Sequence, residues 1–208
     1  MADRPHHRPG PVSGVTPPGR PTPEDPRVGA VLADLGPHVA GDAREARSVQ
    51  EVRARLLVLE HPFDRAADPV HVTASAVVVG ARGVLLHRHR RLHRWLQPGG
   101  HVDPGEWPQD AARRETEEET GIPAEHPVTG PLLVHVDVHA AADGHTHLDL
   151  RYLLWAPPVD PAPPAGESQQ VAWFSWAEAS EVADDALAGA LTTARRLVDS
   201  GVVELPAS

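Results

Sequence analysis

The first periodicity along the chain is helical. Val28, Val31, Leu32 and Leu35 recur at three- and four-residue spacing and stop at Gly36-Pro37. Asp42 is placed to cap a longer helix, whose stripe is Val49, Val52, Leu56 and Leu59 with Arg and Glu opposite; His61-Pro62 ends it. The pattern then changes to that of strands. Residues 70–79 are almost continuously apolar and β-branched, which predicts a buried strand, and Gly80 and Gly83 bracket a turn into a second strand at 84–89. A Gly/Pro-rich loop at 95–106 leads into a helix at 107–120, closed by Gly121. Residues 132–139 and 145–155 alternate around Asp143-Gly144 and predict a hairpin. After a loop at 157–165 with five prolines, Val171–Ser175 predicts a short strand, and 177–200 a helix broken near Asp184 and stopped by Gly201. No internal repeat is visible. Helices, strands, one helix, strands and a helix make an α+β arrangement with a mixed sheet.

Composition sets the limits of that core. Residues 1–26 carry eight prolines without periodicity and are expected to form a disordered tail. Residues 27–68 then form a helical extension and 69–205 the main domain. Acidic residues outnumber basic ones 29 to 19, for a net charge of −10, which opposes general binding to a nucleic acid polymer. The absence of Cys excludes disulfides, thiol catalysis and Cys-ligated zinc. No apolar run approaches the ~18 residues of a membrane span, and no apolar leader follows Met1. The expectation is a soluble cytoplasmic protein with no membrane partner; a homodimer is compatible with it.

The chemistry concentrates around the helix at 107–120. At 100° per residue, Glu115, Glu118 and Glu119 fall within one arc, while Ala112, Thr116 and Thr120 form an adjacent stripe small enough to pack on a sheet. Three carboxylates on one turn repel one another, and they sit near a helix C-terminus, where the macrodipole disfavours anions. A cation offsets both penalties. Oxygen-only ligands suit Mg²⁺ or Mn²⁺. Gly99 and Gly100 let the backbone approach that ion or a phosphate closely. Arg114 stands one turn before Glu118, where it can orient a carboxylate. A solvated acidic face is the alternative for the glutamates taken alone.

The longer string removes that alternative. Gly100, Glu106, Arg114-Glu115, Thr116, Glu118-Glu119 and Gly121-Ile122 keep the spacing of the Nudix box, and the segment 100–122 resembles it at every fixed position except Thr116, where an aliphatic residue is usual. The strand order over 70–200 also resembles the Nudix fold. That resemblance implies a Nudix-type α/β/α sandwich and a divalent-metal-dependent hydrolase of the Nudix superfamily. Such an enzyme cleaves a diphosphate bond in a nucleoside diphosphate-linked or related small molecule. It also implies that Glu115, Glu118 and Glu119 ligate the metal, one of them polarising the attacking water, and that Arg114 orients them. Glu106 is then structural, and Glu167, in a loop before Trp173, is the family's further carboxylate. A non-catalytic Nudix ligand-binding domain is the alternative, and the intact box argues against it. A Nudix-fold isomerase acting on a prenyl diphosphate would need a catalytic Cys.

Fourteen histidines are the remaining anomaly. His135, Asp137 and His139 on one predicted strand, and His145, His147, Asp149 and Arg151 on the other, recur at period two, so each set lies on one face. That face is expected to bind substrate, through His147 and Asp149, rather than zinc, because spacing alone does not bring three ligands together. His101, beside Gly100, is expected near substrate as well. His87, His89 and His93 are expected at the surface, and Trp173 is expected to pack.

Overall fold

The computed structural model describes residues 25–141, 144–201 and 203. Residues 1–24 of the expected tail and the turn residue Asp143 lie outside them. The twelve elements of the described chain begin with two helices, α1 (Pro26–Leu35) and α2 (Ala43–Leu56). The cap of α2 is the one the sequence predicts, whereas that of α1 falls in the segment expected to be tail. The Asp25 carboxylate accepts the Arg27 N–H with Pro26 at the first helical position, and the Asp42 carboxylate accepts the Glu45 N–H. Asp25 and Pro26 thus belong to α1 rather than to the tail. A ten-residue helix is marginal alone. Here α1 is held by tertiary burial, with Val28, Val31 and Leu35 inside the core.

Strands β1 (Val70–Gly80), β2 (Gly83–Arg88), β3 (Trp95–Leu96) and β4 (Gly99–His101) precede α3 (Pro108–Thr120). The hairpin β5 (Leu133–Ala140) and β6 (Thr146–Trp155), then β7 (Val171–Phe174), α4 (Trp176–Val182) and α5 (Asp185–Asp199), complete the order. The predicted Gly/Pro loop at 95–106 therefore contains two short strands. The predicted last helix is two, and Asp184 at the break is the N-cap of α5. One mixed sheet runs β3-β2-β1-β6-β5, with β4 paired to β1 and β7 to β2. Only β1 and β6 pair in parallel, over a register that runs from Val70 opposite Thr146 to Val79 opposite Trp155.

The two faces of the sheet differ. Even-numbered residues, among them Val72, Ala74, Val78, Leu148, Leu150, Leu154 and Val136, share one apolar cluster with α1, α2 and α3. The other face divides along its length. Val77, Val79, Leu153 and the bulged Val134 pack on α4 and α5. Beyond them the same face turns polar with Thr73, Ser75, Asp149, Arg151, His135 and Asp137, all buried. Much of the face expected to bind substrate is thus closed to solvent. His87, expected at the surface, is also buried, its ring 3.6 Å from Glu119 of α3. His93 is exposed and His89 half-buried. Trp173 packs against the core, its indole N–H donating to the Val159 carbonyl at 2.9 Å.

The outer edge of β5 is closed by side chains of α2. The Val136 N–H donates to Glu45 Oε1 at 3.0 Å, and the Val138 N–H to Ser48 Oγ at 3.2 Å. Burial pushes the Glu45 carboxyl up, but His38 and the Gly41 N–H outweigh it and hold the group below its usual range.

Candidate functional site

Helix α3 is bounded as its sequence dictates. Pro108 starts it, and Gly121 ends it at φ 69°, its N–H donating to the Glu117 carbonyl. Ala111, Ala112, Thr116 and Thr120 are buried against the sheet. Thr116, the departure from the box pattern, satisfies its hydroxyl by donating to the Ala112 carbonyl at 2.7 Å, so it packs there without an unpaired polar group. With that stripe inward, Glu115 and Glu119 face β4.

Arg114 organises the carboxylates. Its Nε and Nη2 donate to the two oxygens of Glu106, each at 2.9 Å. Its Nη1 donates to Glu115 Oε1 and Glu118 Oε2, each at 2.9 Å, and Nη2 also reaches the His101 carbonyl. One planar fork thus fixes three glutamates and the end of β4. The Glu106 contact above all raises the Arg114 pKa further. Glu106 also accepts the Asp103 N–H, which closes the loop before α3 and fits a structural role. Burial raises the Glu106 carboxyl, but Arg114 and Asp103 hold it below its usual range.

Glu119 differs from its neighbours. It accepts the Gly99 N–H at 2.9 Å, and among the described residues the one basic side chain within 4 Å of it is His87, at 3.6 Å. Burial, with the charge of His89, lowers the His87 pKa to about 4, so this imidazole is neutral at pH 7. Burial, with the charges of Glu115, Glu167 and Glu118, pushes the Glu119 carboxyl up to about 8. Glu115 is raised too, by burial, with Arg114 opposing and Glu118 and Glu106 adding to it. Glu167 therefore lies within electrostatic reach of Glu119. The glycines give the close approach. A Cβ at Gly100 would lie 2.5 Å from the Glu115 carboxylate, and one at Gly99 would lie 2.2 Å from Ser75 Cβ and 2.7 Å from the Ala74 carbonyl.

A cleft of about 670 Å³ opens beside this helix. Arg27, Phe63, Arg65, His101, Asp103 and Glu115 line it, so the start of α1 and the loop after α2 form one wall. Arg27 stacks on Phe63, 4.3 Å from the ring centre, and donates to the Glu106 carbonyl. No sequence signal marked Arg27, Phe63 or Arg65, because nothing local ties the helical extension to the box.

The hairpin pairs as its period-two rows require: Asp137 lies opposite Asp149 and His139 opposite His147. Asp149 accepts from Thr73 Oγ1 (3.2 Å), Ser75 Oγ (2.9 Å) and Arg151 Nε (2.9 Å). Asp137 is held by Arg44, Arg151 and His139. Burial raises the Asp137 carboxyl, but His139 and the two arginines keep it below its usual range, while Asp137 lifts His139. Asp149, expected to touch substrate, is thus turned into the sheet and engaged by three neighbours. Ser75 connects it to the site, since Gln97 Nε2 donates to Ser75 Oγ at 3.4 Å. His147 instead meets His71 and His101, and burial with the surrounding imidazoles holds its pKa at about 4. His71 was read from sequence as part of a core strand. Its position is set by the parallel register of β1 and β6, which no local pattern encodes.

The NUDIX domain family model matches residues 69–196. The bis(5'-nucleosyl)-tetraphosphatase [asymmetrical] of Caenorhabditis elegans is 35% identical over 112 residues, 52% of this chain and 78% of that protein. The rat protein of the same name is 54% identical over 41 residues, 20% of this chain and only 28% of its own length. Among solved structures, the C. elegans Ap4A hydrolase binary complex superposes with a TM-score of 0.52 at 27% identity, covering 62% of this chain and 98% of that one.

Proposed function

Because the chain belongs to the NUDIX domain family, we propose that it is a hydrolase. It cleaves a diphosphate bond in a nucleoside diphosphate-linked or related small molecule and depends on Mg²⁺ or Mn²⁺. One observation carries this reading. Glu119 is buried beside other carboxylates and tethered by one backbone N–H, and the ring 3.6 Å from it, His87, is a neutral imidazole. Arg114 compensates Glu115 and Glu118, and a divalent cation is the natural compensation for Glu119. The donors on this face are oxygens, which fits a hard cation. Glu115, Glu118 and Glu119 would hold it, and when bound it would neutralise charge on the non-bridging phosphate oxygens.

The chain's own groups do the rest. Arg114 keeps Glu115 and Glu118 in fixed directions through a rigid fork, so little reorganisation is left for the reaction. The Gly99 N–H does the same for Glu119. Arg65 gives the cleft an exposed cationic side chain against a polyphosphate, Arg27 being paired with Asp25, and His101 stands against Arg65. Glu167 approaches the carboxylates from a loop outside α3 and is the side chain left to take a proton from an attacking water.

The names of the relatives make a dinucleoside polyphosphate the first substrate to try. The test is a hydrolysis screen of Ap4A, ADP-ribose and nucleoside triphosphates, with products identified by mass spectrometry. Turnover is expected with Mg²⁺, is lost in EDTA and returns on adding Mg²⁺ or Mn²⁺. Full turnover in metal-stripped buffer would sink the metal assignment. Tight binding without turnover would point to a ligand-binding domain instead.

A further inference from the structure

We propose that His71, His101 and His147 form a second metal site, distinct from the glutamates, which takes one dication of the zinc class. The three offer one ring nitrogen each, and those atoms all lie within 4.8 Å of one another. A tetrahedral ion bound at about 2.0–2.1 Å needs nitrogens about 3.4 Å apart, so small ring rotations close the site. Among the described residues this is the one three-ligand group of that spacing.

Three strands build it. Parallel pairing sets His71 of β1 directly opposite His147 of β6. Strand β4 runs against β1 on its other side, with His101 opposite Thr73, two residues along from His71. All three rings approach within 5.1–5.3 Å of one another, centre to centre. The His71 ring is oriented as a ligand would be. Its Nδ1 lies 3.1 Å from the Asp68 carbonyl, which can only accept, so Nδ1 carries the proton and Nε2 the lone pair. Nε2 of His147 is buried and makes no hydrogen bond among the described residues. Beside His147 stands His139, itself held on Asp137 at 3.0 Å.

The donor set selects the ion. Three imidazoles suit Zn²⁺, Co²⁺ or Ni²⁺ and are poor ligands for Mg²⁺. Three protein ligands leave a fourth position for water or a phosphate oxygen. His101 lines the cleft that Glu115 also lines, which gives that fourth ligand a way in. Arg65 Nη1, exposed and 3.3 Å from His101 Nδ1, has to give way, because an imidazole ligated through one nitrogen carries its proton on the other. Spacing along the hairpin alone had favoured substrate contact over zinc; it could not include His71 or His101, which come from other strands.

The experiment is a Co²⁺ titration of the full chain, stripped of metal, with excess Mg²⁺ present to fill the glutamates. One equivalent of Co²⁺ should give the intense visible bands of a four-coordinate ion, bleached by one equivalent of Zn²⁺. His101→Gln and His147→Gln should each abolish them, while Glu118→Gln keeps them. Circular dichroism checks the folds; if His147→Gln does not fold, His101→Gln decides. Weak six-coordinate bands, no bound Co²⁺ at one equivalent, or bands that survive the histidine changes would overturn the site. Turnover does not enter the readout, so this result is separate from the fate of the hydrolase proposal.

Discussion

The glutamate face of α3 and the polar row of the sheet both gather charge, and they do it differently. Glu115, Glu118 and Glu119 come from five consecutive residues of one helix, and one arginine of the same helix arranges them. The polar row draws Thr73, Ser75, Asp137, Asp149 and Arg151 from three strands, buries them, and lets the acidic and basic members satisfy one another. The first group is left with Glu119 uncompensated. The second is mostly satisfied from within, with Arg151 Nη1 and the histidines at its far end left over. A surplus of one sign at the helix and a balance at the sheet is what separates a site poised for a cation from a network that positions it.

The largest effect should come from removing the surplus. Glu118→Gln and Glu119→Gln each should lower kcat by on the order of 10²-fold or more with an unchanged circular dichroism spectrum, because each takes away ligand charge and keeps shape. Near-normal turnover by either variant would move the chemistry away from α3. Next is Gly99→Ala. Its Cβ meets the backbone and Cβ of Ser75, which cannot swing aside, so β4 must shift and carry the Glu119 tether with it. A drop in kcat of roughly tenfold, with a lower melting temperature, is expected; a fully active, equally stable variant would show that the tether does not matter.

The smallest effect tests the network in the sheet. His135 is buried, facing Arg151, Glu45, Asp137 and Asp149, and burial with the Arg151 charge lowers its pKa to about 4 from 6.5. The unfolded chain therefore takes up a proton as pH falls below about 6.5, while the native chain does not until about 4. Stability fully present above pH 6.5 is lost progressively as pH falls toward 4. Between pH 7 and 5 the loss from this one group is roughly 2 kcal/mol. In urea melts His135→Leu should flatten the acid side of the stability profile by that amount. Parallel profiles for the two proteins would mean that His135 is charged in the fold.

How legible each region was follows from the same contrast. Helix α3, its Gly121 stop, its small inward stripe and its three carboxylates are written within one segment, at a period that the helix itself enforces. The break at Asp184 and the hairpin rows were legible for the same reason. His71 was not: its neighbours His147 and His101 are 76 and 30 residues away in the chain, and only the pairing of β1 with β6 and β4 joins them. His87 was misplaced because a run of His and Arg reads as surface, whereas its ring turns toward Glu119 of α3. Arg27 and Phe63 entered the cleft wall through the packing of α1, which no periodicity encodes.

The α2 side chains that close the edge of β5 have a consequence for self-association. Glu45 and Ser48 take the outward N–H groups of Val136 and Val138, the donors that another chain would need in order to add a strand there. A fragment cut to the matched residues 69–196 would lose that guard together with α1 and α2, which help to cover the apolar face of the sheet. It should scatter light as growing aggregates at concentrations where the full chain stays clear. The helical extension is in this sense a built-in chaperone: it prevents the sheet from being extended by its own copies.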